Sequence, residues 1–112
     1  VLETKPLLGI CYGAEILALT LGGTIKKMDK EHKGIQEIEI LKTNPLCSEK
    51  INAFESHSYL ISKLDDHFTQ IAKSSICEFE IIQYNNLNIF GTQFHPEMSD
   101  DGKALLEKFI SI

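Results

Sequence analysis

Leu7-Leu8-Gly9-Ile10-Cys11-Tyr12-Gly13-Ala14-Glu15-Ile16-Leu17-Ala18-Leu19-Thr20-Leu21 reads as a strand, a sharp turn and a helix in immediate succession. The run Leu7 to Ile10 is short and continuously apolar, as in a strand buried within a parallel sheet. Strong helix formers follow from Ala14 to Leu21, and Gly22-Gly23 stop them. A turn at the carboxyl end of such a strand is where α/β folds place their ligands, and Cys11 lies in it. Gly9 and Gly13 flank the cysteine in the G-x-nucleophile-x-G pattern of a nucleophile elbow, in which a strained backbone pushes the side chain into the open. The following helix offers unsatisfied amides and its positive dipole end to the sulfur, which favours thiolate. The Tyr12 amide is also placed to donate to an oxyanion.

Outward from this stretch the pattern changes. Thr24 to Met28 and Ile35 to Leu41 are expected as strands with one wet face, with Gly34 between them. Shorter strands are expected at Ala53 to Glu55, Tyr59 to Ser62, Phe68 to Ala72, Glu78 to Tyr84 and Asn88 to Phe94, the last entered through an Asn85-Asn86-Leu87-Asn88 turn. That succession favours hairpins over further βαβ units. A closing amphipathic helix is expected over Gly102 to Ile110, capped by Ser99 or Asp100. The fold class is therefore α/β, a mixed sheet with a nucleophile elbow and a hairpin-rich second half.

Composition limits the function classes. The chain has 112 residues, enough for one core, with 43% apolar and 24% charged residues, as in an ordinary globular domain. Its net charge is −5 and its densest basic stretch, Lys26 to Lys33, is interrupted by Asp29 and Glu31, which disfavours nucleic acid as a partner. No apolar run suits a membrane span and no signal peptide opens the chain, so a cytoplasmic location is expected. Cys11, Cys47 and Cys77 form no Cys-x-x-Cys pair, and His32, His57, His67 and His95 lack the spacing of a zinc helix. Neither a metal nor another cofactor is expected.

A lone reactive cysteine needs a base, and the base needs an acceptor that sets its tautomer. Gly91-Thr92-Gln93-Phe94-His95-Pro96-Glu97 supplies both, because residues two apart in an extended segment point the same way. On either motif alone, a small buried Cys and an exposed His-Pro-Glu turn remain open readings.

Together, Gly9-Ile10-Cys11-Tyr12-Gly13 and Gly91 to Glu97 closely resemble the signature pair of class I glutamine amidotransferases. The resemblance runs from about Pro6 to Phe109 and implies the flavodoxin-like fold of that family. It implies a catalytic triad of Cys11 as nucleophile, His95 as base and then acid, and Glu97 as the carboxylate orienting His95. Residues 1–112 are then expected to be the carboxy-terminal part of a single amidotransferase domain, because family members carry further strands and a glycine-rich oxyanion loop ahead of the elbow. An uncovered sheet edge that invites self-association follows from this expectation.

The resemblance also implies substrate-binding positions at Tyr12, Glu15, Ser56, Ser58 and Tyr59, with Phe54 to Tyr59 as the loop whose backbone holds the amino-acid end of glutamine. His57 is expected to hold that loop. Where the family most often reads Gly-His-Gln after the elbow, this chain reads Gly13-Ala14-Glu15. At ~6 Å and an effective dielectric near 20, an ionised Glu15 would oppose the thiolate by roughly 3 kcal/mol. Leu21 to Lys27, Glu55-Ser56-His57 and Asp66 to Glu78 are similar to the GMP synthetase branch. That branch implies ammonia supplied to an ATP-dependent synthetase (ATP pyrophosphatase) chain or domain that converts XMP to GMP. The alternatives are the amidotransferases of anthranilate, aminodeoxychorismate or carbamoyl-phosphate synthesis, a γ-glutamyl hydrolase, and a non-catalytic binding module.

Overall fold

A computed structural model describes residues 6–47, 49–85 and 87–112. Strand β1 (Leu7–Ile10) leads directly into helix α1 (Tyr12–Thr20), so the strand–turn–helix reading holds, with the helix starting one residue after Cys11. Then come β2 (Thr24–Ile40), β3 (Ile51–Lys63), β4 (Phe68–Lys73), β5 (Ile81–Tyr84) and β6 (Ile89–Thr92). A single 3-10 turn, Pro96–Met98, precedes helix α2 (Asp100–Ile110). Ser99 caps α2, its hydroxyl accepting from the Gly102 amide at 3.0 Å, as the sequence suggests.

The six strands lie in the order β1-β6-β5-β4-β2-β3. Among the described residues only β1 and β6 pair in parallel and every other ladder is antiparallel, so the sheet is mixed and its later part is built of hairpins. Ile81 and Ile82 are adjacent on β5 and point to opposite faces. Ile81 joins a core with Ile38, Phe90, Phe94 and Leu105, while Ile82 joins Ala14, Ala18 and Ile61. The two helices therefore cover opposite faces of the sheet.

Two corrections concern strand length. The segments expected at Thr24 to Met28 and Ile35 to Leu41 are one strand of 17 residues, and those at Ala53 to Glu55 and Tyr59 to Ser62 are one strand of 13. Phe54 to Tyr59 is thus not a loop between strands. Its polar residues hide a period of two, because the inward positions at Ile51, Ala53, Glu55 and His57 are all buried although two are ionisable. Gly34 does not break β2, since at φ 141° it still pairs with Glu55. Conversely, β5 is shorter than expected and begins at Ile81. Of the Asn85-to-Asn88 turn, Asn85 has φ 52° and the Leu87 amide reaches the Tyr84 carbonyl at 2.9 Å, while Asn86 lies outside the described residues.

The other two cysteines are structural. Cys77 is 2% exposed, and Cys47 packs into the α2-side core beyond a turn in which Asn44 Oδ1 accepts from the Leu46 and Cys47 amides. Ser48, part of the turn expected there, lies outside the described residues.

Candidate active site

Parallel pairing of β1 and β6 brings the two sequence motifs together. Gly9 lies opposite Gly91 and Ile10 opposite Thr92, so both strands release their loops at the same end of the sheet. The Cys11 amide donates to the Thr92 carbonyl at 2.6 Å, continuing the pairing into the turn. Cys11 itself has φ 53° and ψ −102°, a conformation costly for a residue with a Cβ. A Cβ on Gly9 would meet the Gly13 carbonyl carbon at 2.8 Å, so the elbow closes only because that side chain is absent.

The same stretch of β3 meets both motifs. Cys11 Sγ lies 3.8 Å from the Ser56 carbonyl oxygen, and the His95 amide donates to the Phe54 carbonyl at 2.8 Å in an isolated bridge. His95 Nδ1 is 3.1 Å from Glu97 Oε2. A proton on Nδ1 held by that carboxylate leaves the Nε2 lone pair to act as a base. The expected extended segment is not what pairs them. His95 is extended, but Pro96–Met98 curls into a 3-10 turn, closed by the Met98 amide on the His95 carbonyl at 3.1 Å. His95 and Glu97 meet within that turn.

The electrostatics differ from the expectation that the helix start favours thiolate. The Cys11 thiol is pushed up to about 11, first by burial, then by the charge of Glu15; the Tyr12 amide acts in the opposite direction, and Glu55 and Glu97 add to the rise. The dipole end is present, but a nearly buried sulfur among acidic groups loses more from desolvation and repulsion than one amide restores. This balance favours the thiol form of Cys11, so a nucleophilic role would need a base to take its proton.

Glu15 is 5% exposed, and its Oε2 accepts from Gln93 Nε2 at 2.8 Å. Gln93 Oε1 in turn accepts from the Ile61 amide at 3.3 Å, tying α1 to β3. One oxygen of Glu15 is thus committed within the protein. Ser56 and Ser58 are half-buried, and the Tyr59 side chain is exposed. In the β2–β3 ladder the register jumps between Lys27, opposite Tyr59, and His32, opposite His57, so Ser58 has no Cα partner there. Such a bulge leaves Ser58 backbone groups outside regular pairing, which suits a site built from main-chain donors and acceptors.

His57 sits on the inner face of β3, its Nδ1 2.7 Å from the Tyr59 carbonyl and its Nε2 2.6 Å from Glu55 Oε1. It braces the segment from behind, in keeping with the sequence reading. Gln93 and Glu80, both 0% exposed, are not singled out by the sequence. The available signal is Glu80 itself, an acid directly before the apolar pair Ile81-Ile82.

The family model of "Glutamine amidotransferase class-I" matches residues 1–112. The chain belongs to the class I glutamine amidotransferases. As a member of that family it is 34% identical to a subunit of the glutamine-hydrolysing GMP synthase of Pyrococcus furiosus, over 96% of this chain and 60% of that protein. The corresponding GMP synthase subunit of Methanoculleus marisnigri is 35% identical over 96% of this chain and 61% of its own length. The chain therefore spans about 60% of the length of these amidotransferase relatives. A crystal structure of a Thermoplasma acidophilum protein, assigned as the same kind of GMP synthase subunit, superposes with a TM-score of 0.88 at 29% identity, covering 97% of this chain and 57% of that one. A Thermotoga maritima glutamine amidotransferase shares the fold at a TM-score of 0.74 and 24% identity, over 95% of this chain and 47% of its own. Among the described residues of this amidotransferase chain, no helix is long and apolar enough to cross a membrane, and no cluster of His, Cys, Asp or Glu is suited to a metal ion.

Proposed function

We propose that this chain carries the glutamine-hydrolysing site of a GMP synthetase, with Cys11, His95 and Glu97 as its triad. The observation that supports this best is the convergence of the strained Cys11 elbow and the His95–Glu97 pair on one segment of β3. His95 Nε2 takes the Cys11 proton as Sγ attacks the side-chain carbonyl carbon of glutamine, and the Tyr12 amide donates to the resulting oxyanion. The carbon–nitrogen bond then breaks, the amide nitrogen receives the proton from His95 and leaves as ammonia, and a γ-glutamyl thioester remains. Water, deprotonated by His95, hydrolyses that ester to glutamate and restores the thiol. Ser56, Ser58 and Tyr59 are the positions assigned to the amino-acid end of the substrate, and Glu15, 5% exposed and bonded to Gln93, stands behind them only in this reading.

The relatives' names, subunits of a glutamine-hydrolysing GMP synthase, favour a part in forming GMP. This reading extends it to ammonia delivered to an ATP-dependent synthetase chain acting on XMP, in the cytoplasm. A glutaminase assay of the chain, with and without a synthetase chain, tests this. Activity that the synthetase stimulates and that Cys11→Ala abolishes is the expected result; glutamate release unaffected by Cys11→Ala would sink it. Activity coupled to chorismate or carbamoyl-phosphate enzymes would move the chain to another branch of the family. A non-catalytic module is the reading favoured by the raised Cys11 thiol and by Glu15, and failure of a glutamine-derived chloroketone to label Cys11 would support it.

A further inference from the structure

Behind the β3 segment that meets Cys11 and His95 runs a chain of buried polar side chains that the proposed mechanism does not use. Glu55 and Glu80 are both 0% exposed and lie within hydrogen-bonding reach of each other. Glu55 Oε1 faces His57 Nε2, and Glu80 Oε2 accepts from the Ser74 hydroxyl. The Ser74 oxygen itself accepts from the Ile76 and Cys77 amides at 3.3 and 3.2 Å, so its own proton is free to serve Glu80. Two atoms are left over. Glu55 Oε2 and Glu80 Oε1 are buried and receive no N–H or hydroxyl donor among the described residues.

Orphaned oxygens on two adjacent buried acids have a common remedy. Two carboxylates cannot both ionise in one dry site, whereas one proton between them converts both orphans into a donor and an acceptor. Because Ser74 donates to Glu80 Oε2, that proton belongs on Glu80 Oε1, pointing at Glu55 Oε2. His57 Nδ1 donates to the Tyr59 carbonyl, so its Nε2 shares a second proton with Glu55 Oε1. Every group in the chain from Tyr59 to Ser74 is then satisfied. The Glu80 backbone reinforces the placement, donating to Ala72 at 2.9 Å and accepting from the Gln93 amide at 2.8 Å.

We propose that Glu80 is a positioning residue of this site: the proton it holds against Glu55 fixes the Glu55–His57 pair, and through that pair the β3 segment supporting Cys11 and His95. This rests on the proposed function only in what the positioned site does. Burial raises Glu80 first, with the hydrogen bond to Glu55 and the Glu55 charge adding to it, while Ser74 and His57 oppose; burial also raises Glu55. The other acidic groups facing this pocket are Glu15, across Gln93, and the Cys77 and Cys11 thiols, whose own deprotonation these acids disfavour.

An acid whose folded pKa lies above its unfolded value binds more protons in the native state, so it stabilises fully below the ordinary carboxylate range. That contribution is lost as pH rises through the raised value.

Three variants of the chain test the proposal. Infrared spectra in H2O and D2O at neutral pH are expected to show the band of a protonated carboxylic acid that disappears in Glu80→Gln. Glu80→Gln keeps a donor toward Glu55, so its melting temperature is expected to change less between pH 6 and 9 than that of the unmodified chain, which falls. Its glutaminase kcat/KM is expected to stay within about threefold, against a loss of about tenfold or more in Glu80→Ala, the scale of a small misplacement. Glu55→Gln is expected to keep the acid band, because burial, the first cause of the raised Glu80 value, is unchanged and the Gln carbonyl oxygen still accepts the Glu80 proton. Loss of the band there would show that the Glu55 charge alone holds the proton. Absence of the acid band, or equal behaviour of Glu80→Gln and Glu80→Ala, would overturn the proposal. If the unmodified chain shows no glutaminase activity, the proposed function fails while this inference is still decided by hydrogen exchange at the His95 amide. Faster exchange in Glu80→Ala but not in Glu80→Gln supports it, and equal exchange in both refutes it.

Discussion

Cys11 combines a strained backbone with a thiol that resists ionisation, and the two have different origins. The strain comes from the elbow, the resistance from burial and from Glu15. Glu15→Gln can preserve the contact with Gln93 while removing the charge. The Cys11 pKa is therefore expected to drop below about 11. A shift of one unit would raise the thiolate fraction, and hence alkylation by iodoacetamide at pH 8, about tenfold. An unchanged pH profile for alkylation, followed residue by residue, would mean that burial alone sets the thiol. At the other end of the proposed triad, Glu97 is half exposed, with 49% of its side chain open, and its Oε2 lies 3.1 Å from His95 Nδ1, where a carboxylate would select the proton position on the ring. Glu97→Gln leaves the shape in place but permits the wrong tautomer, so the rate of glutamine hydrolysis is expected to fall roughly 10²- to 10⁴-fold with little change in KM. A comparable rise in KM would instead assign Glu97 to binding.

The elements act by holding these residues at fixed offsets. β1 and β6 set Cys11 and His95 at the same sheet end, while β3 joins them from the side. The turn carrying Glu97 is anchored by α2 at its closest point, where a Cβ on Gly102 would lie 2.2 Å from the Pro96 carbonyl oxygen. Gly102→Ala is expected to destabilise the chain by about 1–3 kcal/mol through that overlap, although alanine ordinarily favours helix. Urea unfolding measures it, and a neutral or stabilising result would show that the Pro96–Met98 turn can move away without cost.

At the level of the molecule, one edge of the sheet is open among the described residues. β1 ends the strand order, Leu7 is 50% exposed, and an apolar groove lined by Ile10, Gly13, Ile16 and Leu17 runs beside it. Exposed edges of this kind pair with other chains. For a polypeptide of residues 1–112 we propose pairing of β1 with a second copy, with Leu7→Lys shifting the population toward monomer in light scattering; a monodisperse unmodified monomer would count against it.

How much of this is legible in the sequence varies with the range of the interaction. The strand–elbow–helix unit, the Ser99 cap and the family are readable because each depends on a few neighbouring residues, or on a motif pair specific enough to carry the family, and the sheet brings that pair, with the proposed Cys11, His95 and Glu97, to one end. Phe54 to Tyr59 reads as a loop because Glu55 and His57 look solvent-seeking in isolation. They are buried only because Glu80, Ser74 and the Tyr59 carbonyl satisfy them, and Glu80 comes from a segment 25 residues away in the chain. The resting state of Cys11 departs from its local expectation for the same reason: a helix start is local, but desolvation and the charges of Glu15, Glu55 and Glu97 exist only after folding brings them around the sulfur. Residue types and short spacings carry the chemistry that is available. Which groups are dry, and which protons they must share, depends on non-local packing that the order of residues does not display.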